Sequence, residues 1–198
     1  MSKVTTDMIR NIALIGHSGE GKTSLAEAML FNAKSIDRLG KVEDGNTTMD
    51  FDAEEINRKI SISLAVAYAN WKGNKINILD CPGFFDFEGE VVSALSVADS
   101  AIIVTSASGA LSVGTEKMLE ICTDRKVPAM VFINQVNKDN ADFRGTYTAI
   151  EQAFGSKVLP IELPVIEGGK MTGWVDILTG NAYSLSAPEQ EIAVPADM

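Results

Sequence analysis

The sequence predicts an α/β fold, in which a mixed, mostly parallel β-sheet carries helices on both faces and a short β-rich piece follows. Short apolar runs alternate, along most of the chain, with stretches whose apolar residues recur at helical spacing. A glycine-rich loop at residues 16–23 lies between the first strand-like run and the first helix-like run. After about residue 156 the helical spacing stops, and short strand-like runs separated by turns take its place.

The first predicted strand covers residues 11–15 and the first predicted helix covers residues 24–30. The loop between them, GHSGEGKT at 16–23, fits the pattern G-x-x-x-x-G-K-[ST]. In a strand–loop–helix setting this pattern predicts a triphosphate site, because its glycines let backbone N–H groups point inward at a helix N-terminus. We expect Lys22 to reach the β- and γ-phosphates and the Thr23 hydroxyl to ligate Mg²⁺. The structural alternative is a plain glycine turn that joins a strand to a helix.

A long polar segment, residues 34–58, follows the first helix. Loops of this length inside a compact domain are usually functional or mobile, the alternative being a merely solvated connection. We predict a strand at residues 61–68, a hairpin turn at 71–74 and a second strand at 75–79.

The second of these strands ends at Asp80-Cys81-Pro82-Gly83, a D-x-x-G pattern. Downstream of a phosphate loop, the Asp80 carboxylate can hold Mg²⁺ through water and the Gly83 N–H can meet a γ-phosphate. Alone the pattern is weak, and Asp80 could instead cap a helix or close a turn.

Four further elements are predicted after the D-x-x-G pattern. They are a helix at 88–98, a buried strand at 101–104, a helix at 113–126 and a buried strand at 129–133. Asn134 follows the last of these strands. Since ligands of such sheets bind beyond the carboxyl ends of the strands, the loops at Gly16, Asp80 and Asn134 should converge. Cys122, on the inner face of its helix, is interpreted as a packing residue.

A last helix is predicted at residues 140–154, with an apolar stripe that we interpret as core. Beyond it, short strands are predicted at 158–161, 172–178 and 181–185. These strands would begin a separate β-rich piece.

Composition narrows the functional classes. With 198 residues, 45% apolar and 22% charged, the chain has the make-up of an ordinary globular protein. A formal net charge of -10 argues against a broad nucleic-acid-binding surface. The two cysteines are too few for a disulfide framework. No run is long and apolar enough for a membrane span or a signal peptide, so we expect a cytoplasmic protein without a membrane partner.

Several short motifs occur in the order in which one protein family has them, namely Arg10-Asn11-Ile12, Gly21-Lys22-Thr23, Thr48-Met49-Asp50, Ile60-Ser61-Ile62, Asp80-Cys81-Pro82-Gly83, Asp86-Phe87 and Ala141-Asp142-Phe143. With them the chain resembles the G domain of the translational GTPases, and elongation factor G most closely. The resemblance implies a P-loop GTPase-type fold, GTP or GDP and Mg²⁺ as ligands, and the ribosome as partner of the full-length protein.

The stretches 173–177 and 194–198 resemble parts of the subdomain inserted in elongation factor G. The resemblance therefore implies a GTP-binding domain at residues 1–156, without the family's last strand and its base-contacting Ser-Ala loop. Residues 157–198 would begin the inserted β-rich subdomain.

The resemblance implies functional residues at the positions that match the family's motifs. The residues expected to hold the nucleotide are His17, Ser18, Gly19, Glu20, Gly21, Lys22, Thr23, Ser24, Asn134, Gln135 and Asn137. Those expected at the metal are Thr23, Ser61 in place of the family's threonine, and Asp80 through water. The residues expected to take part in catalysis of GTP hydrolysis are Lys22, Gly83 and Phe84, the last at a position where the chain diverges from the family. Residues 34–58 would be switch I, and Asp80 and Gly83 would begin switch II.

The chain departs from the family at several of these positions. Phe84 stands where the family has the histidine that positions the attacking water, so hydrolysis is expected to be slow. Gly19 replaces an aspartate that bears on a cation site, and Lys59 replaces a glycine. The base-reading motif N-K-x-D appears as residues 134–137, NQVN, and Asn137 offers guanine one acceptor where aspartate offers two.

Two functional hypotheses from different classes follow. The first is an elongation-factor-G-like GTPase, a GTP/GDP switch acting on the ribosome. The second is a non-hydrolysing or very slow nucleotide-dependent binding module, which Phe84 favours. An ATP-using protein is a distant third, supported only by the altered guanine motif at Asn137.

Overall fold

The computed structural model describes residues 4–195 and divides the chain into two compact units. The first unit contains the chain up to residue 106 together with 110–134, and the second contains 107–109 and the chain from 135 onward. The predicted domain boundary near residue 156 stays a prediction.

The first unit is built on a five-stranded sheet. Its strands are β1 (Ile9–Ile15), β2 (Ala65–Trp71), β3 (Asn74–Asp80), β4 (Ser100–Ser106) and β5 (Ala129–Asn134). They lie in the order β2-β3-β1-β4-β5, and all neighbouring pairs are parallel except the β2–β3 hairpin. This confirms the mixed, mostly parallel sheet.

Helices cover both faces of this sheet. They are α1 (Lys22–Asn32), α3 (Glu88–Leu95) and α4 (Val113–Arg125). The short helix α2 (Ala53–Arg58) lies in the segment before β2, and single 3₁₀ turns occur at Thr6–Met8 and Phe85–Phe87. Successive side chains of β1 alternate between the faces. Ala13 and Ile15 pack in one core with α3 and α4, whereas Leu14 packs in the other with α1. Cys122 is buried in the first of these cores, as predicted.

The predicted hairpin turn at residues 71–74 is confirmed. Lys72 (φ 47°) and Gly73 (φ 82°) both adopt left-handed backbone, as a two-residue hairpin turn requires. The predicted start of the first hairpin strand at Ser61 is wrong, because β2 begins at Ala65. Carboxylates rather than a neighbouring strand accept the backbone N–H groups just before it, at Ile62, Ser63 and Leu64.

Two other features differ from expectation. The short helix α2 lies inside the polar segment 34–58, where no helix was predicted. Strand β5, predicted as buried, is an edge strand whose Met130 and Phe132 are 49% and 39% exposed. The apolar run therefore predicted the strand correctly, but it did not show whether other elements would bury both faces of the strand.

The second unit contains helix α5 (Phe143–Phe154), a 3₁₀ turn at Gly155–Lys157 and a four-stranded antiparallel meander. The Asp142 carboxylate begins α5 by accepting the Gly145 N–H at 2.8 Å. On its predicted apolar stripe, Ile150 is buried, and the rings of Phe143 and Tyr147 stack.

The meander strands are β6 (Glu162–Glu167), β7 (Lys170–Asp176), β8 (Asn181–Ser184) and β9 (Ala187–Ile192). This sheet confirms the separate β-rich piece. The strand predicted at residues 158–161 is wrong, since pairing begins at Glu162 and Leu159 is exposed. Of the stretch 194–198 used for the resemblance, residues 196–198 lie outside the described residues.

Among residues 4–195, no helix is long and apolar enough to cross a membrane.

Candidate nucleotide-binding site

The loop at residues 16–23 depends on its glycines. Gly16, Gly19 and Gly21 have φ angles of 141°, 79° and 91°, a region that side chains disfavour. A Cβ on Gly16 would also overlap the backbone carbonyl of Val104 on β4. The loop therefore leaves β1 by a tight turn against the neighbouring strand and enters α1 through Gly21.

Lys22, the first residue of α1, points back into this loop. Its Nζ donates to the backbone carbonyls of Gly16 (3.1 Å) and His17 (2.8 Å), and the side chain is buried. Burial lowers the pKa of Lys22, and the nearby Asp80 carboxylate opposes that shift. A desolvated ammonium at the centre of a curled backbone is suited to neutralising phosphate charge.

Three oxygen-bearing side chains from distant parts of the chain meet beside Lys22. The Thr23 hydroxyl donates to Asp80 Oδ2 at 2.7 Å and lies 3.1 Å from the Ser61 hydroxyl. They come from the start of α1, the segment before β2 and the end of β3. The structure thus brings together all three residues that the sequence predicts at the metal.

Asp50 joins this group, although the sequence analysis assigned it no role. Its Oδ1 accepts the Ser61 hydroxyl proton at 2.7 Å, and its Oδ2 lies 3.4 Å from the hydroxyl of Thr47. Asp50 is buried, and that burial raises its pKa, with the Ser61 hydrogen bond acting in the opposite direction. Its place in the motif Thr48-Met49-Asp50 was the available signal.

The residues fit a hard cation such as Mg²⁺. Burial raises the pKa of Asp80 to about 7, against the lowering effects of the Thr23 hydrogen bond and Lys22. Within the described part of the chain, the buried Asp80 Oδ1 has no hydrogen-bond partner. A carboxylate with an unused oxygen beside two hydroxyls is a donor set that Mg²⁺ accepts, with phosphate oxygens and water completing it. No cluster of three or more His, Cys, Asp or Glu side chains suited to a metal occurs among residues 4–195.

Gly83 packs directly against the phosphate loop. A Cβ at this position would lie 2.6 Å from the Ser18 nitrogen and would also overlap Lys22 Nζ. Only glycine fits there without displacing the loop. The backbone of the segment after β3 is therefore close enough to share a ligand with Lys22.

Asn134 fastens the end of β5 to the loop. Its side-chain Nδ2 donates to the backbone carbonyl of Glu20 at 2.9 Å. Gln135, with φ 60°, and Asn137 belong to the second unit, where residues 135–138 form a turn closed by Lys138 N–H on the Gln135 carbonyl. Their proposed contact with the base stays a prediction.

The chain matches the family model described as the elongation factor Tu GTP binding domain over residues 7–189. It is 36% identical over 189 residues to an elongation factor G-like protein of Mycobacterium tuberculosis, covering 96% of this chain and 26% of that protein. It is 35% identical to elongation factor G 1 of Treponema denticola, covering 93% and 29%. The chain belongs to the elongation factor Tu GTP-binding domain family. Its similarity extends to the mitochondrial ribosome-releasing factor 2 of Culex quinquefasciatus, at 37% identity over 87% of this chain and 23% of that protein.

A crystal structure of a protein from Thermus thermophilus has the same fold, with a TM-score of 0.88 at 37% identity over 96% of this chain and 29% of that chain. The chain spans under a third of the length of each of these proteins. It is thus an elongation-factor-G-like G domain, and guanine nucleotide binding is the property of its family.

In this G domain, the segment that the resemblance assigns to switch II continues after Gly83 with two exposed aromatic side chains. Phe84 and Phe85 are 39% and 42% exposed. The Phe85 ring lies 5.8 Å from the His17 ring, and the Lys117 ammonium lies 5.1 Å from the Phe85 centroid. Lys117 also pairs with Glu88. The histidine of the phosphate loop therefore lies against switch II, and position 84 itself carries no polar side-chain atom.

The remaining predicted loop residues differ in exposure. Glu20 is buried, and its Oε2 has no hydrogen-bond partner among residues 4–195. Gly19 and Ser24 are exposed, and Ser18 is half-buried. The Glu20 carbonyl, held by Asn134, connects this part of the loop to the end of β5.

Proposed function

We propose that this G domain binds GTP with Mg²⁺ and serves as the GTP/GDP switch of an elongation-factor-G-like protein acting on the ribosome. The observation that carries the proposal is the meeting of Thr23, Ser61 and Asp80 beside Lys22. These side chains come from the start of α1, the segment before β2 and the end of β3. Such an arrangement lets one bound cation and one γ-phosphate hold two otherwise separate segments, which hydrolysis would release.

The side chains divide the work of holding the nucleotide. Thr23 and Ser61 present hydroxyl oxygens to the metal site, and Asp80 can reach it through water. By accepting the Ser61 hydroxyl proton, Asp50 leaves the Ser61 lone pairs free to face a cation. Lys22 holds positive charge where the β- and γ-phosphates would lie. Mg²⁺ held by Thr23, Ser61 and, through water, Asp80 would offset the negative charge of the phosphates.

GTP hydrolysis is proposed on the family's behaviour, and it is expected to be slow. Phosphoryl transfer depends on positioning water and stabilising charge. Phe84 offers neither a donor nor an acceptor at the position where the family has histidine. That exposed phenyl group also favours the second candidate function, a non-hydrolysing nucleotide-dependent module.

The ribosome as partner is proposed because elongation factor G 1 and ribosome-releasing factor 2 are so named among the relatives. This proposal concerns a protein of the relatives' full length, since each of these relatives is more than three times as long as the part that this chain matches. The cytoplasmic location predicted above stays a prediction, and one relative is mitochondrial by name.

The proposal is tested first by nucleotide binding. Lys22→Ala should abolish GTP binding in a calorimetric titration with Mg²⁺, because it removes the cation inside the loop. Lys41→Ala, at an exposed lysine, is the matched control and should bind as the unaltered protein does. Retained GTP affinity in Lys22→Ala would overturn the site.

Hydrolysis is tested separately, by single-turnover assays on the complete protein with and without ribosomes. A rate that rises on adding ribosomes supports the switch. Tight GTP binding without measurable hydrolysis in either condition supports the second candidate instead.

A further inference from the structure

A second buried carboxylate, Glu55 on α2, accepts hydrogen bonds from the backbone on both sides. Its Oε1 accepts the N–H groups of Ile62 (2.9 Å) and Ser63 (3.0 Å), and its Oε2 accepts the N–H of Asp52 (3.2 Å). Glu55 is 2% exposed. Burying a polar side chain this deeply is costly unless it is hydrogen-bonded, so these contacts are what allow Glu55 to lie there.

Through Glu55, helix α2 fixes the position of the chain that follows it. The Asp52 carboxylate begins α2 by accepting the Glu54 N–H at 2.8 Å, and Glu55 completes the capping box. The same Glu55 side chain also accepts hydrogen bonds from the backbone N–H groups of Ile62 and Ser63, the two residues after Ser61. The backbone at Ser61 is thus held against α2 rather than in a β-ladder.

The position of the Ser61 hydroxyl follows from this attachment. That hydroxyl lies 3.1 Å from Thr23 Oγ1 and 2.7 Å from Asp50 Oδ1. A shift of the backbone at Ile62 would move the hydroxyl away from both. Among residues 4–195, the Glu55 carboxylate forms no hydrogen bond with Thr23, Asp80 or Asp50, so hydrogen bonding connects it to the metal site only through the Ser61 backbone. Burial raises the pKa of Asp50 and of Asp80, and the Glu55 carboxylate adds to that rise, so a test must separate this charge effect from positioning.

We propose that Glu55 is a positioning residue, which holds the Ser61 hydroxyl where the Mg²⁺ of a bound GTP would be ligated. The inference rests on the proposed function. It adds that the affinity of this site for Mg²⁺ depends on a glutamate outside the set of metal-facing side chains.

Glu55→Gln is an informative substitution, because the three hydrogen bonds that the Glu55 carboxylate accepts within residues 4–195 all come from N–H groups. Glutamine has one acceptor oxygen and one NH₂ group, so in either orientation it turns a donor toward at least one of them. Glu54→Gln is the matched control. Glu54 is the preceding residue on the same helix, but it is exposed and pairs with Arg58 at the surface.

The measurement is the Mg²⁺ concentration at half-maximal binding of a fluorescent GTP analogue. An unmatched donor and a lost hydrogen bond should raise this concentration about tenfold in Glu55→Gln. Glu54→Gln should stay within about twofold of the unaltered protein, as expected for a surface pair. With a GDP analogue the effect of Glu55→Gln should be smaller, because the switch segments are ordered by contacts with the γ-phosphate and its metal.

A double-mutant cycle with Ser61→Ala distinguishes positioning from general loosening. The cycle uses Glu55→Asp, which keeps a carboxylate near Asp50 and Asp80. If Glu55 acts through the Ser61 hydroxyl, Glu55→Asp should add no further change in Mg²⁺ dependence once that hydroxyl is gone. Independent, additive effects of the two substitutions would overturn the inference.

Equal Mg²⁺ dependence in Glu55→Gln and Glu54→Gln would also overturn the inference, provided that thermal unfolding shows both variants to be folded. Should Glu55→Gln fail to fold, Glu55→Asp against Glu54→Asp gives the same comparison, since aspartate keeps the charge but is one methylene shorter. If the unaltered protein binds the GTP analogue without any need for Mg²⁺, the proposed function itself fails.

Discussion

Position 84 lies in the segment assigned by resemblance to switch II, next to a glycine that touches the phosphate loop. An exposed phenyl group there cannot orient a water molecule by hydrogen bonding. The carboxylates Glu20 and Asp86 lie elsewhere in the loop and switch II, and either is a candidate substitute for the missing imidazole. We therefore expect the rate of hydrolysis, rather than nucleotide binding, to depend on position 84.

Phe84→His should raise the single-turnover hydrolysis rate of the complete protein by about 10²–10⁴-fold, the typical contribution of one positioned polar group. GTP affinity should change little, because the gain lies in the transition state. Phe85→His, at the neighbouring exposed phenylalanine, is the control. Rapid hydrolysis by the unaltered protein, unaffected by Phe84→His, would contradict the interpretation of this position.

Asn137→Asp should tighten binding of guanine nucleotides, because aspartate accepts hydrogen bonds from both the ring N–H and the exocyclic NH₂ of guanine. Removing one unmatched donor is worth about 1–3 kcal/mol, or roughly ten- to hundredfold in affinity. Calorimetry with GDP on the complete protein checks it. Unchanged affinity would show that Asn137 does not contact the base.

Cys122 should resist alkylation in the native protein. Its thiol is packed in the core formed with α4, and burial raises its pKa to about 11. At pH 8 only about one thiol in a thousand would be ionised, and that fraction is shielded from reagent. Mass spectrometry after iodoacetamide treatment should find Cys122 modified only in denaturant; modification within minutes in native buffer would disprove the packing.

At the scale of elements, the segment between α1 and β2 is attached at more points than its sequence suggests. Glu27 on α1 is fully buried, and its carboxylate accepts the N–H groups of Gly40 (3.1 Å) and Thr48 (2.5 Å). A Cβ on Gly40 would collide with that carboxylate. The first half of the segment is therefore folded back onto α1, one helical turn after Thr23.

Glu27→Gln should lower the free energy of unfolding by about 1–3 kcal/mol, because the amide must turn a donor toward one of the two N–H groups that the buried carboxylate accepts. Glu43→Gln, at an exposed glutamate of the same segment, should change it by less than about 0.5 kcal/mol. Urea unfolding of the two variants measures the difference. Equal stabilities would mean that the Glu27 contacts contribute nothing net.

The elements that sequence predicted well are those whose signal is local. The phosphate loop, the β2–β3 turn and helices α1, α3 and α4 follow from glycines, turn residues and helical spacing. The start of β2 at Ala65 could not be predicted in this way. Residues 61–64 have the composition of a strand, but three of their N–H groups are accepted by carboxylates, two by Glu55 on the preceding helix and one by Glu90, which is 26 residues from Leu64.

The same reasoning explains the other misses. Helix α2 has only six residues, too few for periodicity, although its Asp52-x-x-Glu55 capping box was visible in the sequence. Asp50 was noted as part of a family motif, but its contact with Ser61 depends on a fold-back that no local pattern shows. The exposed Leu159 was assigned to a strand because apolar residues alone do not indicate pairing.

At the scale of the whole molecule, the described chain consists of a nucleotide-binding sheet and a separate four-stranded meander. The meander has a small core of Val165, Val175 and Ala182, whereas the first unit has two larger ones. Because buried apolar area drives stability, the first unit should be the more resistant to unfolding. A tryptophan reports on each unit, Trp71 on β2 and Trp174 on β7.

Replacing either tryptophan with phenylalanine should therefore leave a protein whose remaining fluorescence follows one unit. In urea, the signal of Trp174 should change at a lower concentration than that of Trp71. Circular dichroism of both variants shows whether the substitutions themselves disturb folding. Coincident transitions would show that the two units unfold together.

The attachment of Gly40 and Thr48 to a buried side chain has a consequence for how the segment exchanges its amide hydrogens. An N–H that donates to Glu27 is shielded from solvent until that contact opens, even though no regular strand or helix contains it. In deuterated buffer, these two amides should therefore retain hydrogen as long as the neighbouring turns of α1 do. A region that its composition marks as loop would then open and close in step with the helix that carries Lys22 and Thr23.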